Sequence, residues 1–374
     1  MNSYKSLNVF MGERKVGTLA VAANHLVAFE YDEEWIREGF SLNPFSLPLE
    51  KRVFIPKGYD PFDGLFGIFS DSLPDGWGRL LVDRLLLREH INPAEVDSLN
   101  RLAIVGSAGM GTLTYQPENR LDTDMADLSL DRIAEECGKI FESKASDGLD
   151  VLFRLGGSSG GARPKVFYRL DGEEWIVKFP SSIDKPDMGK QEYEYSLCAR
   201  RCGIQVPETR LLPSELNSGY FAVKRFDRDG DRRVFMASVS GLLETSHRIP
   251  NLDYNILMNL TMKLTQDYGE IEKLYRLMCF NVFAHNRDDH SKNFSFLYYN
   301  NRWYLSPAYD LTYSNSIGGE HATTVNGNGS DPGMKDLLQV AENIKLDKKK
   351  AKKIAEEIRE ITAEDLGKHM FCGL

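Results

Sequence analysis

The stretch VFYRLDGEEWIVKFP, residues 166–180, constrains this chain more than any other. Two β-rich runs flank Asp171-Gly172, a dipeptide that tolerates the positive φ angles of a tight hairpin turn. Side chains alternate along a strand, so Trp175, Val177 and Phe179 face one way while Ile176 and Lys178 face the other. A hairpin with one heavily apolar face must be covered, and the sequence around it offers the cover. QEYEYSLCARRCG (191–203) reads as a helix stopped by Gly203. GYFAVKRFDR (219–228) returns to a strand. Beyond residue 253 the period is helical, in DYNILMNLTMKLTQ, EIEKLYRLMCFNVFAH, KDLLQVAENIKL and KKKAKKIAEEIREI. Upstream, LNVFMGERKVGTLA and HLVAFEY alternate as short strands, with Gly12 and Gly17 as turn punctuation. Within residues 65–91 the period turns helical: Ser72 is the expected N-cap ahead of Pro74, and Leu80, Leu81, Leu85 and Leu86 make an amphipathic face. The order is α+β, with a strand-rich first part and a mostly helical second. A boundary is expected near residue 116, dividing 1–116 from 117–374, with the polar QPENRLDTDMAD as connector.

Composition narrows the class. A chain of 374 residues has room for two domains and a sizeable core. Net charge −9 argues against a bulk surface that grips nucleic acid. The five cysteines form no CxxC pair, and Cys198 and Cys202, on one expected helix, read as core positions rather than half a metal site. An odd count without framework spacing fits a reduced, cytoplasmic chain. No apolar run has the length of a signal peptide or a bilayer span, so no membrane partner is expected.

The chemistry concentrates in HNRDDHSKNFSF, residues 285–296. Asp288 and Asn293 have the D-x-x-x-x-N spacing of a protein-kinase catalytic loop, entered from a buried helix as such loops are. A carboxylate there orients the substrate hydroxyl, an amide oxygen helps hold Mg²⁺, and Lys292 brings positive charge to the phosphoryl group. Seventeen residues after Asn293, LSPAYDLTYS offers Asp310 as a second metal ligand. The bland alternative is a solvated turn whose Asp and Asn cap helices; it leaves Asp310 and the dense Lys-His content unexplained. Lys178 has the strand position of a phosphate-binding lysine, although strand lysines more often face solvent. Glu192 or Glu194 on the next helix could pair with it, and periodicity does not choose between them. RLGGSSGGARPK (154–165) is a glycine loop, either a phosphate cradle or slack between elements, and it carries Ser158 and Ser159. His285 and His290 lack zinc-ligand spacing. The DKKKAKKIAEEIRE run reads as a solvated helix face with i,i+4 Glu/Lys contacts.

Taken in order, these motifs resemble the HipA family of serine/threonine kinases, toxins of bacterial toxin–antitoxin pairs. VFMGERKVGTLA, FEYDEEWI, SLPL and FSDSLPDGWGR look like its N-terminal domain. SSGGARPK, WIVKFP, VKRFDR, NRDDHSKNFSF and LSPAYDLTYS look like its kinase core. The resemblance implies a two-lobed protein-kinase-like fold, with N-lobe elements running to about residue 250. It implies that Asp288 is the catalytic aspartate, with His290 and Lys292 lining the site and Asn293 and Asp310 holding Mg²⁺. Lys178 would contact ATP phosphates, and Phe226 with Asp227 would lie around adenine and ribose. Ser158 matches an autophosphorylated serine whose modification shuts the kinase down. The implied substrate is a protein such as an aminoacyl-tRNA synthetase. The implied partner is a small HipB-type helix-turn-helix antitoxin, which would carry any DNA contact. The chain departs from the family at Lys224, where a glutamate is common, and in MASVSGLLETSH, which lacks a QEDF-type sequence. A small-molecule phosphotransferase and a non-catalytic kinase-like binding subunit remain the alternatives.

Overall fold

The computed structural model describes residues 2–119, 128–142, 148–157, 159–181, 184–315 and 317–370. Most of the expected connector and Ser158 lie outside the described residues. The chain divides into two compact units. The first comprises Met1–Pro186, Leu212–Ala237 and Gly241–Thr245; the second comprises Asp187–Leu211, Ser238–Ser240 and Ser246–Leu374. Among the described residues no helix is long and apolar enough to cross a membrane.

The first unit opens with an antiparallel sheet of β1 (Ser6–Met11), β2 (Arg14–Val21), β3 (Val27–Tyr31), β4 (Val53–Phe54) and β5 (Leu113–Gln116), in the order β4-β3-β2-β1-β5. Gly12 takes the turn with φ +62. Gly17 does not turn the chain: it lies inside β2, where a methyl group would overlap the Phe29 ring and the Glu30 carbonyl oxygen. Short helices α1 (Glu33–Glu38) and α2 (Gly67–Ser70) lead to α3 (Gly76–Arg88). Asp75, not Ser72, occupies the N-cap position of α3, and the Ser72 hydroxyl is 2.7 Å from the Tyr115 hydroxyl instead. Ile104 and Val105 end α4 (Ser98–Val105), ahead of β5. Helices α5 (Leu130–Phe141) and α6 (Leu149–Gly156) follow.

The expected hairpin forms as β6 (Lys165–Leu170) and β7 (Glu173–Lys178), with φ +53 at Asp171 and +80 at Gly172. After β8 (Thr209–Leu212), strand β9 (Tyr220–Lys224) pairs antiparallel with β7, setting Lys178 opposite Phe221. The predicted alternation is what packs: Trp175, Val177 and Phe179 are buried with Val166, Tyr220 and Ala222. Trp77 and Leu81 of α3 and Ile133, Cys137 and Ile140 of α5 close the same core. Each of these large side chains contributes about 1.5–3 kcal/mol by leaving water, so the N-terminal helix and the hairpin are mutually stabilising. The small hairpin β10 (Arg228–Asp229) and β11 (Arg232–Arg233) leads to β12 (Phe235–Ser238) and α8 (Val239–Leu243).

The second unit is mostly helical: α7 (Met188–Arg201), α9 (Tyr254–Thr265), α10 (Tyr268–Phe283), α11 (Met334–Asn343) and α12 (Lys348–Met370). Gly203 terminates α7 with φ +72, and Cys198 and Cys202 are core residues. On α12, Lys352 and Glu356 make the expected i,i+4 contact at 3.7 Å. Its strands are β13 (Leu252–Asp253), which pairs parallel with β16 (Thr323–Thr324), and the hairpin β14 (Ser295–Tyr299) and β15 (Arg302–Leu305). The class is α+β, strand-rich first and helical later, as the sequence implied.

Candidate functional site

In the second unit, α10 delivers the chain to the polar loop. Ile271, Leu274, Met278 and Phe280 bury the helix, so its C-terminal end is fixed. His285 then adopts φ +52, an uncommon conformation for a residue with a side chain, and turns the chain sharply. The Ser314 N–H donates to the His285 carbonyl at 3.0 Å, joining the loop to the segment after Asp310. Burial, with Arg287 and His321 nearby, pushes the His285 imidazole below its ordinary range.

Neighbouring Asp288 and Asp289 have opposite fates. The Asp288 side chain is 61% exposed and that of Asp289 is fully buried. Asn293 closes a turn through its N–H to the His290 carbonyl at 2.8 Å, and its Nδ2 donates to the Asp288 carbonyl at 2.7 Å. Its Oδ1 accepts no hydrogen bond among the described residues and is available to a cation. His290 Nδ1 accepts from the Lys292 N–H at 3.2 Å, which leaves the proton of a neutral ring on Nε2, 3.9 Å from Asp288 Oδ1. Tyr309 donates to the Lys292 carbonyl at 2.6 Å, with the Ser295 hydroxyl also 2.6 Å away. That contact brings half-buried Asp310, with φ +53, alongside the loop. The loop and the YD motif are thus brought together. Among the described residues no three His, Cys, Asp or Glu side chains converge as a metal cage; Mg²⁺ on a nucleotide needs fewer protein ligands.

Of the two glutamates on α7, Glu194 is engaged with Lys368 and His369 of α12. Burial raises its pKa, but those two partners outweigh it and hold the carboxyl below its usual range. Glu192 is 3% exposed on the inner side of the helix. Tyr195 donates to the Ala284 carbonyl at 2.9 Å, anchoring α7 to the entrance of the loop.

In the first unit, Lys178 ends β7 half-buried, its Nζ 5.5 Å from the Phe221 ring centroid. Lys224 pairs with Glu173 at 3.0 Å. Phe226 is half-buried, whereas Asp227 is buried and its carboxylate is fully engaged. It accepts from Arg225 Nε at 2.9 Å and Nη2 at 2.8 Å, from Arg228 Nη1 at 2.7 Å, and from the Gly111 N–H at 2.9 Å. Burial alone would raise its pKa; the two guanidinium groups outweigh that and hold it low. Burial pulls Arg228 down to about 10. Asp227 is therefore a brace between the 225–228 turn and the Gly111 loop, and its surroundings do not favour direct ribose contact.

The glycine loop is packed rather than slack. The Gly161 carbonyl accepts from the Trp77 N–H at 2.9 Å, and its N–H donates to Asp75. Ser159 is 1% exposed and its hydroxyl donates to the Gly156 carbonyl, so it is shielded in this arrangement. Sequence reasoning missed Asp289 and the residues it touches, Tyr254, His321 and Thr323. The tandem Asp288-Asp289 was the available signal, since adjacent residues of an extended loop face opposite ways.

Two family models match along the chain, the HipA N-terminal domain over residues 7–116 and the HipA-like C-terminal domain over residues 157–365. The chain belongs to the HipA family. The putative kinase Y4mE of Sinorhizobium fredii is 26% identical over 82% of this chain and 76% of its own length. The putative kinase Y4dM of the same organism is 31% identical over 155 residues, 37% of each protein. HipA of Shewanella oneidensis, solved with HipB and its operator DNA, has the same fold, with a TM-score of 0.70 and 18% identity over 97% of this chain and 90% of that one.

Proposed function

We propose that this HipA-family protein is an ATP- and Mg²⁺-dependent serine/threonine protein kinase. The observation that carries the reading is the loop geometry: Asp288 projects outward while Asn293 is tied to its backbone with Oδ1 unspent. That oxygen and the Asp310 carboxylate make a hard, oxygen-only donor set suited to Mg²⁺. The ion would supply charge neutralisation on the nucleotide phosphates. Asp288 orients the acceptor hydroxyl and takes its proton, His290 and Lys292 line the loop, and Lys178 of the first unit attracts phosphate. Glu192 is the αC-type glutamate, and Phe226 covers adenine. Asp227 serves as the brace that sets Phe226. The division into 1–116 and 117–374 belongs to the same reading. So do a HipB-type antitoxin, which would bind any DNA, and a protein substrate such as an aminoacyl-tRNA synthetase. Ser158 is the proposed self-modification site, and its buried neighbour Ser159 is the poorer acceptor. Incubation with labelled ATP, alone and with cell lysate, tests the reading. Labelled protein bands are expected. A labelled metabolite would point to a small-molecule phosphotransferase, and no label at all to a binding subunit.

A further inference from the structure

Asp289 has no part in the chemistry just assigned, yet it is the most enclosed charged residue of the loop. A buried carboxylate without compensating donors is expensive. Here three converge: the Tyr254 hydroxyl at 3.0 Å, His321 Nδ1 at 3.0 Å and the Thr323 N–H at 3.1 Å. The Thr323 hydroxyl also donates to the Asp289 carbonyl. Facing a carboxylate, His321 Nδ1 carries the proton. The set extends inward. Asn281 Nδ2 donates to the Tyr254 hydroxyl at 2.9 Å, and Asn286 Nδ2 donates to Asn281 Oδ1 at 2.9 Å. Helices α9 and α10, the loop and strand β16 therefore meet at one carboxylate.

We propose that Asp289 and His321 are positioning residues, a buried strut that aims Asp288. Drawing Asp289 inward turns its neighbour outward. It also fixes the backbone from 288 to 293, on which the Asn293 turn is built. His321 is the strut's far end. It lies beyond Asp310 in the chain, and its bond to Asp289 ties the segment that follows the YD motif to the loop that carries Asp288 and Asn293. Side-chain networks of this kind hold a site to the tolerance that catalysis needs. The inference rests on the kinase reading for its consequence, but the strut itself can be tested without it.

The experiment compares full-length His321→Ala with His321→Asn, whose side-chain amide can donate from near the position of Nδ1. Two quantities are measured: Mg²⁺-dependent turnover of labelled ATP, and hydrogen exchange of the backbone amides in 285–296. In His321→Ala, turnover should fall about 100-fold, the scale of a roughly 1 Å misplacement, with affinity for a fluorescent ATP analogue little changed. Loop exchange should rise. His321→Asn should restore most of both. Equal losses in the two variants, or parental exchange in His321→Ala, would overturn the strut. If either variant fails to fold, Asp289→Asn, which keeps the shape and removes the anion, must speed loop exchange; parental exchange there would overturn it equally. Should the parent show no turnover at all, the kinase reading fails while the exchange comparison still decides this proposal.

Discussion

The 285–296 loop and the glycine loop are both short, polar and placed directly after a helix, but different forces hold them. The first is fixed by side chains, through Asp289 with its three donors and Asn293 with the Asp288 carbonyl. The second is fixed by the absence of side chains. A methyl group on Gly76 would overlap the Gly161 carbonyl oxygen, one on Gly78 the Ser159 carbonyl oxygen, and one on Gly156 the Lys165 carbonyl oxygen. Gly161 has φ +85 as well. Polar anchoring leaves chosen atoms exposed for chemistry, whereas close backbone contact makes a seat that any added carbon disturbs. The two loops should therefore fail differently, one in rate and the other in stability.

The largest expected effect lies in the 285–296 loop. Asp288→Asn keeps the volume and the backbone turn, so folding and nucleotide affinity should survive. Phosphoryl transfer should drop by a factor on the order of 10³ or more, because charge and positioning carry that reaction. Steady-state transfer from labelled ATP beside a thermal melt checks both halves. Activity within about tenfold of the parent would take Asp288 out of the proton-accepting role.

Next comes Asp227, a third mode of anchoring, in which charge neutralises charge under burial. Asp227→Asn leaves Arg225 and Arg228 without their counter-ion, a change that costs about 3–5 kcal/mol when a buried pair is broken. Denaturant unfolding should report that loss at neutral pH. Folding holds the Asp227 carboxyl below its ordinary pKa. Its contribution is therefore complete above the unfolded-state value and is lost as pH falls through the folded one. The stability difference between parent and variant should shrink in that acid window. A pH-independent difference would mean that Asp227 acts by shape alone.

Gly78→Ala probes the other loop. Overpacking against a fixed backbone costs about 1–3 kcal/mol, and the melting temperature should fall while a properly folded fraction keeps its turnover. Unchanged stability would show that the glycine loop does not sit on α3 in solution.

The contrast between the loops also explains what was legible beforehand. Asp288, Asn293 and Asp310 stood out as candidates because phosphoryl-transfer chemistry asks for such residue types at short spacings along one chain segment. The β6–β7 hairpin could be read because a turn dipeptide and a period of two are local. Gly76 and Gly78 could not be matched with Gly156 and Gly161, since no spacing rule links glycines across the connector. Ser72 failed as a helix cap because Tyr115, distant in sequence, claimed its hydroxyl. The resemblance implied a ribose contact for Asp227, and nothing in VKRFDR says that the arginines on both sides fold onto it. His321 carried no local signal, because its hydrogen bond to the loop is made to Asp289, far away in sequence.

The smallest effect concerns Glu244, a second enclosed carboxylate and a useful foil for Asp289. It accepts two hydrogen bonds, from the Gly67 N–H at 2.8 Å and the Ser46 hydroxyl at 2.8 Å. Burial outweighs these donors, and Asp71 adds repulsion, so its pKa sits above the ordinary glutamate value. For an acid raised in this way, the favourable contribution is present below the unfolded-state pKa and is lost as pH rises through the folded one. Glu244→Gln keeps an acceptor for Gly67 and never ionises. Relative to the parent it should gain stability as pH rises from the ordinary glutamate range through the raised folded value, by an amount well under that of Asp227→Asn and opposite in its pH trend. Melting temperatures of the pair across that range are the measurement. A difference that stays flat would mean that the two donors fully compensate the Glu244 charge despite its burial and the Asp71 carboxylate nearby.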